Sequence, residues 1–535
     1  MPVADLLRLR VATARSALFS TALHSLTVQP LFFPTTLTLV LLSLSNRSCS
    51  LKALCTRVVH DADTIFALSS GHGKCGVAVV RVSGPASGFA LQSIAGFRHT
   101  LPAARTALLR NITDPHSQEL LDRALVLWFP GPRSFTGEDC AEFHIHGGPA
   151  VISGVLKALG SLPGVRAATA GEFTRRAFLA GKLDLTEVEG LGDLIHAETE
   201  AQRRQALRQM AGDLARLYQD WSQHLTRCLA HVEAFIDFGE DELIENEVLN
   251  QVDHGVSQLQ LQMERHLQDE RRGERLRNGV QVVIAGAPNA GKSSLLNLLC
   301  RRPAAIVSPV PGTTRDVVET HLDIGGFPVV LSDTAGLRDT VDGVEREGVR
   351  RARERVDLSD VTLVMLDLTQ LPKDHQSVPS FLMDHLRSTL LSGEDLRDSL
   401  QKFLLVFNKR DLLPQEQLDN IQKTIIHMEG LPPACLLSCQ SGDGFDQFLR
   451  VLQNRLQTLC GDPLVGSPSL TQARHRSHLQ QSLRALAQYH QYRDLDLALS
   501  AEGLRLALAS LGRITGKVGP EEILDIIFRD FCIGK

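Results

Sequence analysis

Apolar residues are patterned in three ways along the chain. From about residue 63 to 178, short runs such as "VAVVRV" and "ALVLWF" alternate with Gly, Pro and Ser clusters, which predicts a strand-rich α+β unit. From 183 to about 277 the period becomes helical. Leu207, Met210, Leu214, Leu217, Trp221, Leu225, Cys228, Val232 and Phe235 recur at spacings of three and four, so one continuous apolar stripe is expected, belonging to a core. From 279 to about 460 come "VQVVIAG", "FPVVLSD", "VTLVMLD", "KFLLVFN" and "ACLLSC", near-continuous apolar runs of the kind that form parallel strands buried on both faces. Residues 371–399 are polar and read as an insertion. After "GDPLVGSPS", a linker by composition, helices resume to the C-terminus.

The resulting organisation is a multidomain α/β protein. A leader spans 1–60, an α+β domain 61–181, the first part of a helical domain 182–277, an α/β domain 278–462 and the second helical part 463–535. The α/β domain is therefore inserted into a helical one. The chain stops on "FRDFCIGK", after "EEILDIIF", in which Ile523, Leu524, Ile526, Ile527 and Phe528 predict a strongly apolar helix. Gly534 and Lys535 do not suit a prenylation box, so the tail is expected to leave a docked element rather than to fray or carry a lipid.

Composition narrows this only slightly. Of 535 residues 43% are hydrophobic and 22% charged, and the net charge is -5. A negative chain has no global attraction for nucleic acid, so any RNA binding must use local patches. Ten Cys without a CxxC pair argue against a zinc site or a disulfide scaffold, and Cys435 and Cys439 read as core thiols. The first sixty residues set Arg8, Arg10, Arg15, Arg47 and Arg57 against one acid, Asp5, which favours a mitochondrial transit peptide. The apolar run from Leu31 resembles a secretory core but is too short to span a bilayer, and no stable membrane insertion is expected.

The chemistry sits in the α/β domain. "GAPNAGKSS" matches the P-loop pattern at Gly286, Gly291, Lys292 and Ser293, after an apolar strand and before a helix start. Asn289, Ala290 and Gly291 would wrap phosphates with backbone N–H groups, Lys292 would neutralise them, and Ser293, followed by Ser294, would hold magnesium. "DTAG" supplies Asp333, Thr334, Ala335 and Gly336 to the magnesium shell and the γ-phosphate, and "PGTTRD" supplies Thr313 and Thr314 as switch hydroxyls. "NKRD" selects the base. Asp411 can accept from guanine N1–H and N2–H₂, Asn408 can serve the other edge, and Lys409 can lie over the ring. "LLSC" offers Ser438 and the Cys439 N–H to the base carbonyl. These motifs point to GTP with Mg²⁺, since a generic ATPase does not explain Asn408 and Asp411.

Hydrolysis poses a problem. Where Ras-type enzymes carry a water-orienting Gln, this chain has Leu337, which cannot polarise water. Arg338, Asp339, Asp342 and Glu345 are nearby candidates for that role. Asn289 can either ligate a monovalent cation beside the phosphates or brace the loop with a hydrogen bond.

Several long segments carry a resemblance. "DTIFAL", "GVAVVRVSGPA", "LWFPGPRSFTGEDCAEFHIHGGPA", "GEFTRRAFLAGKLDLTEVEGLGDLI", "AFIDFGEDE", "GAPNAGKSSLLN", "PGTTRD", "DTAGLRDTVDGVEREGVRRA" and "FCIGK" together resemble the MnmE-type (TrmE-type) tRNA-modification GTPases in a mitochondrial version. The likeness covers nearly everything after the leader. It implies an N-terminal folate-binding and dimerising domain, a helical domain, and a P-loop GTPase domain inserted into the latter. It also implies a homodimer working with an FAD-dependent partner, as a heterotetramer, to modify C5 of the wobble uridine of tRNA in the mitochondrial matrix. The one-carbon unit would come from 5-formyl- or methylene-tetrahydrofolate, and the product would be a taurinomethyl uridine.

The resemblance places K⁺ at Asn289, Ser308, Val310 and Thr313, and Mg²⁺ at Ser293, Thr314 and Asp333. It assigns catalysis to Glu345, through a bridging water, with Lys292 and Thr314. Folate falls to Arg81, Glu142, Lys182 and the terminal Lys535; if the tail ends beside that pocket, Cys532 is either within reach of the one-carbon centre or a small buried residue of a packing plug. "SSGHGKCG" departs from the family's usual Gly/Arg-rich loop at the folate entrance. The rival reading is an organellar ribosome-assembly GTPase switch, for which "GEDCAEFHIHGGPA" and "FCIGK" would be superfluous.

Overall fold

The computed structural model describes residues 63–71, 73–97, 100–238, 246–269, 271–301, 319–333, 354–372, 377–390, 400–426, 431–517, 527–528, 531 and 534. The leader, Ser308, Val310, Thr313, Thr314, Thr334, Ala335, Gly336, Leu337, Arg338, Asp339, Asp342, Glu345, Ile523, Leu524, Ile526, Cys532 and Lys535 lie outside them, as does the side chain of Asp333.

The N-terminal part is a six-stranded sheet. Its strands are β1 (Thr64–Leu68), β2 (Cys75–Ser83), β3 (Leu108–Thr113), β4 (Leu120–Phe129), β5 (Cys140–Gly147) and β6 (Val165–Ala167), in the order β3-β4-β5-β2-β1-β6. Helices α1 (Ser87–Ala95) and α2 (Pro149–Gly160) cover one face, where Val80, Val82, Val126, Phe143 and Ile145 are buried. Strand alternation sends their neighbours Arg81, Glu142 and His144 to the opposite face. Arg81 and Glu142 are cross-strand partners in register, and Ala67 of β1 pairs with Arg81 from the other side. Helix α3 (Glu172–Leu179) closes over this second face through Phe173, packed with Ile65, Ala67 and Ala168.

The helical part begins with α4 (Leu185–His196), α5 (Glu200–Met210), α6 (Asp213–Phe238), α7 (Asn246–Leu267) and α8 (Arg272–Asn278). A capping box of Asp184 and Glu187 starts α4, and one of Thr199 and Gln202 starts α5. The predicted continuous stripe is in fact broken. Gly212 adopts φ +85° between α5 and α6, and Leu207 stands 41% exposed, while Leu214, Trp221, Leu225, Cys228 and Val232 are buried as expected. A left-handed glycine turns the chain at the point where the period alone runs straight through.

The inserted domain has β7 (Val280–Gly286), α9 (Lys292–Cys300), β8 (Glu319–Ile324), β9 (Phe327–Asp333), β10 (Val361–Asp367), α10 (Val378–Leu390), β11 (Phe403–Asn408), α11 (Gln415–Ile426), β12 (Ala434–Leu436) and α12 (Phe445–Cys460). Its sheet runs β12-β11-β10-β7-β9-β8, parallel except for β8. Val282, Ile284, Leu363 and Val406 pack beneath Leu295, Phe448 and Leu452, and Val283, Val364, Leu405 and Phe407 pack on the other side. Burial on both faces explains why these runs lack polar alternation. The polar stretch 371–399 is not a plain surface insertion. It contains α10, whose Val378, Leu382 and Leu386 recur every fourth residue and bury against the second face of the sheet.

Helices α13 (Ala473–Tyr492) and α14 (Leu497–Thr515) complete the helical core, where Tyr218, Leu225, Met263, Leu486, Tyr489, Leu504 and Leu511 meet. Beneath it Glu189 of α4 is fully enclosed by Arg474 (2.8 Å) and His475 (2.7 Å). The tail then returns to the N-terminal part. Phe528 and Phe531 bury against Val188 of α4, and the Gly534 carbonyl accepts a hydrogen bond from Ser69 Oγ at 2.9 Å. It therefore docks, as the apolar run before it predicts.

One carboxylate anchors α3. Burial alone would push Glu172 up, but the Arg166 guanidinium, the Thr169 N–H and Arg176 outweigh it and bring its pKa from the usual 4.5 down to about 2. A depressed folded value stabilises the fold fully above the unfolded value and loses that contribution as pH falls through 4.5 toward 2. Glu172→Gln should therefore flatten the fall of the urea midpoint across that window. Parallel curves for the two proteins would contradict this anchoring.

Candidate functional site

Two groups of predicted residues come together separately. The first lies at the C-terminal ends of β7, β9, β10 and β11, the crevice of an open α/β sheet where the strand order reverses about β7. The loop from β7 to α9 is shaped by Gly286 at φ +149°, Asn289 at φ +62° and Gly291 at φ +106°. A Cβ on Gly286 would lie 2.4 Å from the Met365 carbonyl, and one on Gly291 would lie 2.0 Å from Asn408 Nδ2. Glycine is thus required twice by close approach as well as by conformation.

Within this loop the Lys292 ammonium donates to the Gly286 and Ala287 carbonyls at 2.8 and 3.0 Å. Ala290 is buried, whereas Ser293 and Ser294 are exposed in the first turn of α9, whose N-terminus favours anions. Exposed Asn289 makes no side-chain hydrogen bond to a described residue, so bracing of the loop by its amide is not seen there. The Asp333 backbone ends β9 in register with Ile284, next to the start of the loop. This glycine-walled cradle, with a lysine across it and a hydroxyl at the helix start, fits a nucleotide's phosphates and a magnesium ion.

The base-side motifs converge on the same edge, with an unforeseen division of labour. Asn408 is buried, and both ends of its amide are engaged within the protein. Nδ2 donates to the Ala290 carbonyl at 2.8 Å, and Oδ1 accepts from the Cys439 N–H at 3.0 Å. Asn408 therefore ties the phosphate loop to the loop after β12. Ser438 Oγ accepts from the Gln440 and Ser441 N–H groups and shapes that second loop. Lys409, at φ +67°, pairs with Asp367 at 2.6 Å.

Asp367 is a residue that motif reading missed. Burial raises its pKa, but Lys409 and Thr369 outweigh that and hold it below the ordinary carboxylate range. Its one sequence signal is an acid ending the apolar run "VTLVMLD". Asp411 stands exposed beside Cys439, whose thiol is pushed up to about 11 by burial and by that carboxylate.

The second group lies on the outer face of the N-terminal sheet. Arg81 Nε donates to Glu142 Oε1 at 3.0 Å, and His144 Nε2 lies 3.3 Å from Glu142 Oε2, so both carboxylate oxygens have partners. The rings of Phe135 and Phe173 lie 5.5 and 5.9 Å from the Arg81 guanidinium carbon and hold it in place. Exposed Lys182 donates to the Pro132 carbonyl at 2.5 Å. Ser69, one residue beyond β1, joins the docked Gly534 to this face. His144 and Ser69 are additions that the sequence reading did not contain.

Comparison with known proteins covers nearly the whole chain. Residues 64–182 match the family described as GTP-binding protein TrmE N-terminus, and residues 185–532 match the MnmE helical domain. A Danio rerio protein named 5-taurinomethyluridine tRNA synthase subunit GTPB3, mitochondrial, is 70% identical over 88% of this chain and 93% of its own. The Homo sapiens protein of that name is 58% identical over 90% of this chain and 97% of its own. The tRNA modification GTPase MnmE of Rhodospirillum rubrum is 48% identical over 88% and 99%.

The base-side geometry separates two roles. Asn408→Ala should lower stability by about 1–3 kcal/mol, because it strands the Ala290 carbonyl and the Cys439 N–H. Asp411→Asn should leave stability unchanged and shift preference from GTP toward xanthosine triphosphate. Denaturant melts and competition binding check both, and unchanged GTP selectivity in Asp411→Asn would remove it as the base reader.

Proposed function

The chain belongs to the MnmE (TrmE) family of tRNA-modification GTPases, and from that membership we propose that it modifies C5 of the wobble uridine of mitochondrial tRNA, using a tetrahydrofolate one-carbon unit and an FAD-dependent partner. The product would be 5-taurinomethyluridine, in keeping with the names of its vertebrate relatives. The proposed assembly is a homodimer of this chain joined to the partner as a heterotetramer, in the matrix.

The observation that carries the one-carbon reading is the Arg81–Glu142 pair on β2 and β5, next to β1, beyond whose end Ser69 holds the docked tail. A carboxylate fixed by a guanidinium on one oxygen can accept from the amino and N–H edge of a pterin. Lys182 and Lys535 supply cations suited to a glutamate tail, and Cys532 would reach the one-carbon centre. Each is an element of the proposal.

For GTP, the residues of this chain bind and orient. Lys292 and the loop amides from Asn289 to Ser294 hold the phosphates, Asp411 reads the base, and Lys409, steadied by Asp367, flanks it. Ser293, Thr314 and Asp333 would hold Mg²⁺, which supplies charge neutralisation at the β- and γ-oxygens. Asn289, with Ser308, Val310 and Thr313, would hold K⁺ in place of an arginine finger. Glu345 would orient the attacking water, the task that Leu337 cannot perform. An exposed Asn289 amide without a described partner is what favours the cation role over bracing.

Three measurements test this reading. Wobble uridine in mitochondrial tRNA from cells lacking the chain should lose the taurinomethyl mass. Glu142→Gln should weaken 5-formyl-tetrahydrofolate binding about tenfold to hundredfold, equivalent to about 1.5–3 kcal/mol for a hydrogen bond to a charged group. GTP turnover should be faster in K⁺ than in Na⁺ at matched ionic strength, and Asn289→Ala should abolish the difference. Intact wobble modification in the deleted cells would overturn the function, and equal turnover in both salts would remove the potassium site.

A further inference from the structure

Helices α6 and α14 pack side by side but leave an open cleft of about 690 Å³ along one flank. Its lining includes Gln219, Ser222, Gln223, Thr226 and Arg227 of α6, and Lys517 just beyond α14. These positions follow from the helical period. With Leu214, Trp221, Leu225 and Val232 turned into the core, residues 219, 222, 223, 226 and 227 fall on the outer side of the same helix. No carboxylate is among the described lining residues, which Leu508 and Gly512 of α14 complete.

The two cations belong, with exposed Arg265, Arg484 and Arg513, to the arginines and lysines of the helical part that have no acidic partner among the described residues. Elsewhere in the helical part Arg208, Arg474, Arg476, Arg493 and Arg505 each engage an acid. Arg227 and Lys517 have no acidic partner among the described residues, and the Gln219 and Gln223 amides make no hydrogen bond to one. Such a row suits a polyanion bearing hydroxyls. Cations meet phosphates, and amides can donate to a phosphate or ribose oxygen and accept from a 2′-OH, which carboxylates cannot do in both directions. In a chain with net charge -5, these two cations form one local patch of the kind that RNA binding requires.

Its place in the fold strengthens the point. Gly516, adjacent to Lys517, is pressed so closely onto α3 and α4 that a Cβ there would lie 2.7 Å from Phe178 and 3.1 Å from Leu185. Those two residues flank Lys182, which is bonded to the loop at Pro132 that also carries Phe135 against Arg81. The Lys517 end of the cleft therefore lies beside α3 and the start of α4.

We infer that this cleft seats the sugar-phosphate backbone of the RNA substrate. The inference rests on the function proposed above and adds the surface that holds the RNA. An acidic protein segment is the competing occupant, and the test distinguishes it.

The experiment uses the full chain and an anticodon stem-loop RNA with uridine at the wobble position. Dissociation constants are measured over a salt series for the parent, for Arg227→Ala combined with Lys517→Ala, and for Gln223→Glu. The double variant should bind roughly tenfold more weakly at low salt. Its salt slope should fall by about 1.4–2, the value for two lost phosphate contacts. Gln223→Glu should also weaken binding, while circular dichroism and GTP turnover match the parent in all three. Variants that keep the parent's affinity and slope would overturn the cleft assignment alone, as would displacement of RNA by polyglutamate of equal charge. A parent that hydrolyses GTP but binds no RNA would overturn the proposed function together with it.

Discussion

One guanidinium makes the insertion of the GTPase domain compatible with a continuous helical domain. Arg476, at the start of α13, donates to Asp269 at 2.7 Å, to Glu274 at 3.0 Å and to the Leu267 carbonyl at 2.8 Å. Asp269 and Arg476 are 207 positions apart, so the bond joins the segment entering the inserted domain to the segment leaving it. The Leu470 N–H adds a second tie to Asp269, and Gly273 lies so near the Leu470 carbonyl that a Cβ would come within 2.4 Å of it. All three acceptors are largely shielded from water, where removing one partner of a charged pair costs several kcal/mol. The crossing sits at the end of the apolar core that α7 and α13 share through Met263, Leu479 and Leu486.

From that crossing, contacts lead in both directions. Toward the GTP crevice, Arg275 of α8 bonds Asp360 at 2.7 Å, and the other oxygen of Asp360 accepts from the Gln281 N–H of β7, the strand that feeds the phosphate loop. Toward the N-terminal sheet, Arg277 of the same helix bonds Asp193 of α4 at 2.7 Å. Burial pushes the Asp193 carboxyl above its ordinary value despite that cation, and the neighbouring Glu189 adds to the rise. A turn earlier on α4, Val188 supports Phe528 and Phe531. The short helix α8 thus touches the supports of both sites.

Much of this was legible in the residues. The P-loop, the guanine motif and the docked tail follow from local pattern, because each is a short run whose chemistry and periodicity agree. What escaped is what depends on partners distant in sequence. Nothing near Asn408 reveals that its amide closes on Ala290 and Cys439, and nothing near Asp367 announces Lys409. Arg476 reads simply as a charged residue in "ARHRS". The break at Gly212 was hidden for the opposite reason: the apolar period continues through it, and only the backbone changes course. The polar stretch 371–399 concealed α10 because its buried Val378, Leu382 and Leu386 are each separated by three residues, half of them polar.

The closeness of the entering and leaving segments has a practical meaning for how such a chain can be rebuilt. Gly461, at the end of α12, lies beside Arg272, at the start of α8: a Cβ on it would be 3.5 Å from the Arg272 side chain. Two ends that near can be joined by a few residues, since closing a short gap costs little chain entropy. The GTPase domain is therefore a cassette. It can be lifted out and bridged, or exchanged for another nucleotide-binding domain with adjacent termini, while α7, α13 and the Asp269 and Leu267 arms of their clamp stay where they are, the Glu274 arm leaving with the cassette.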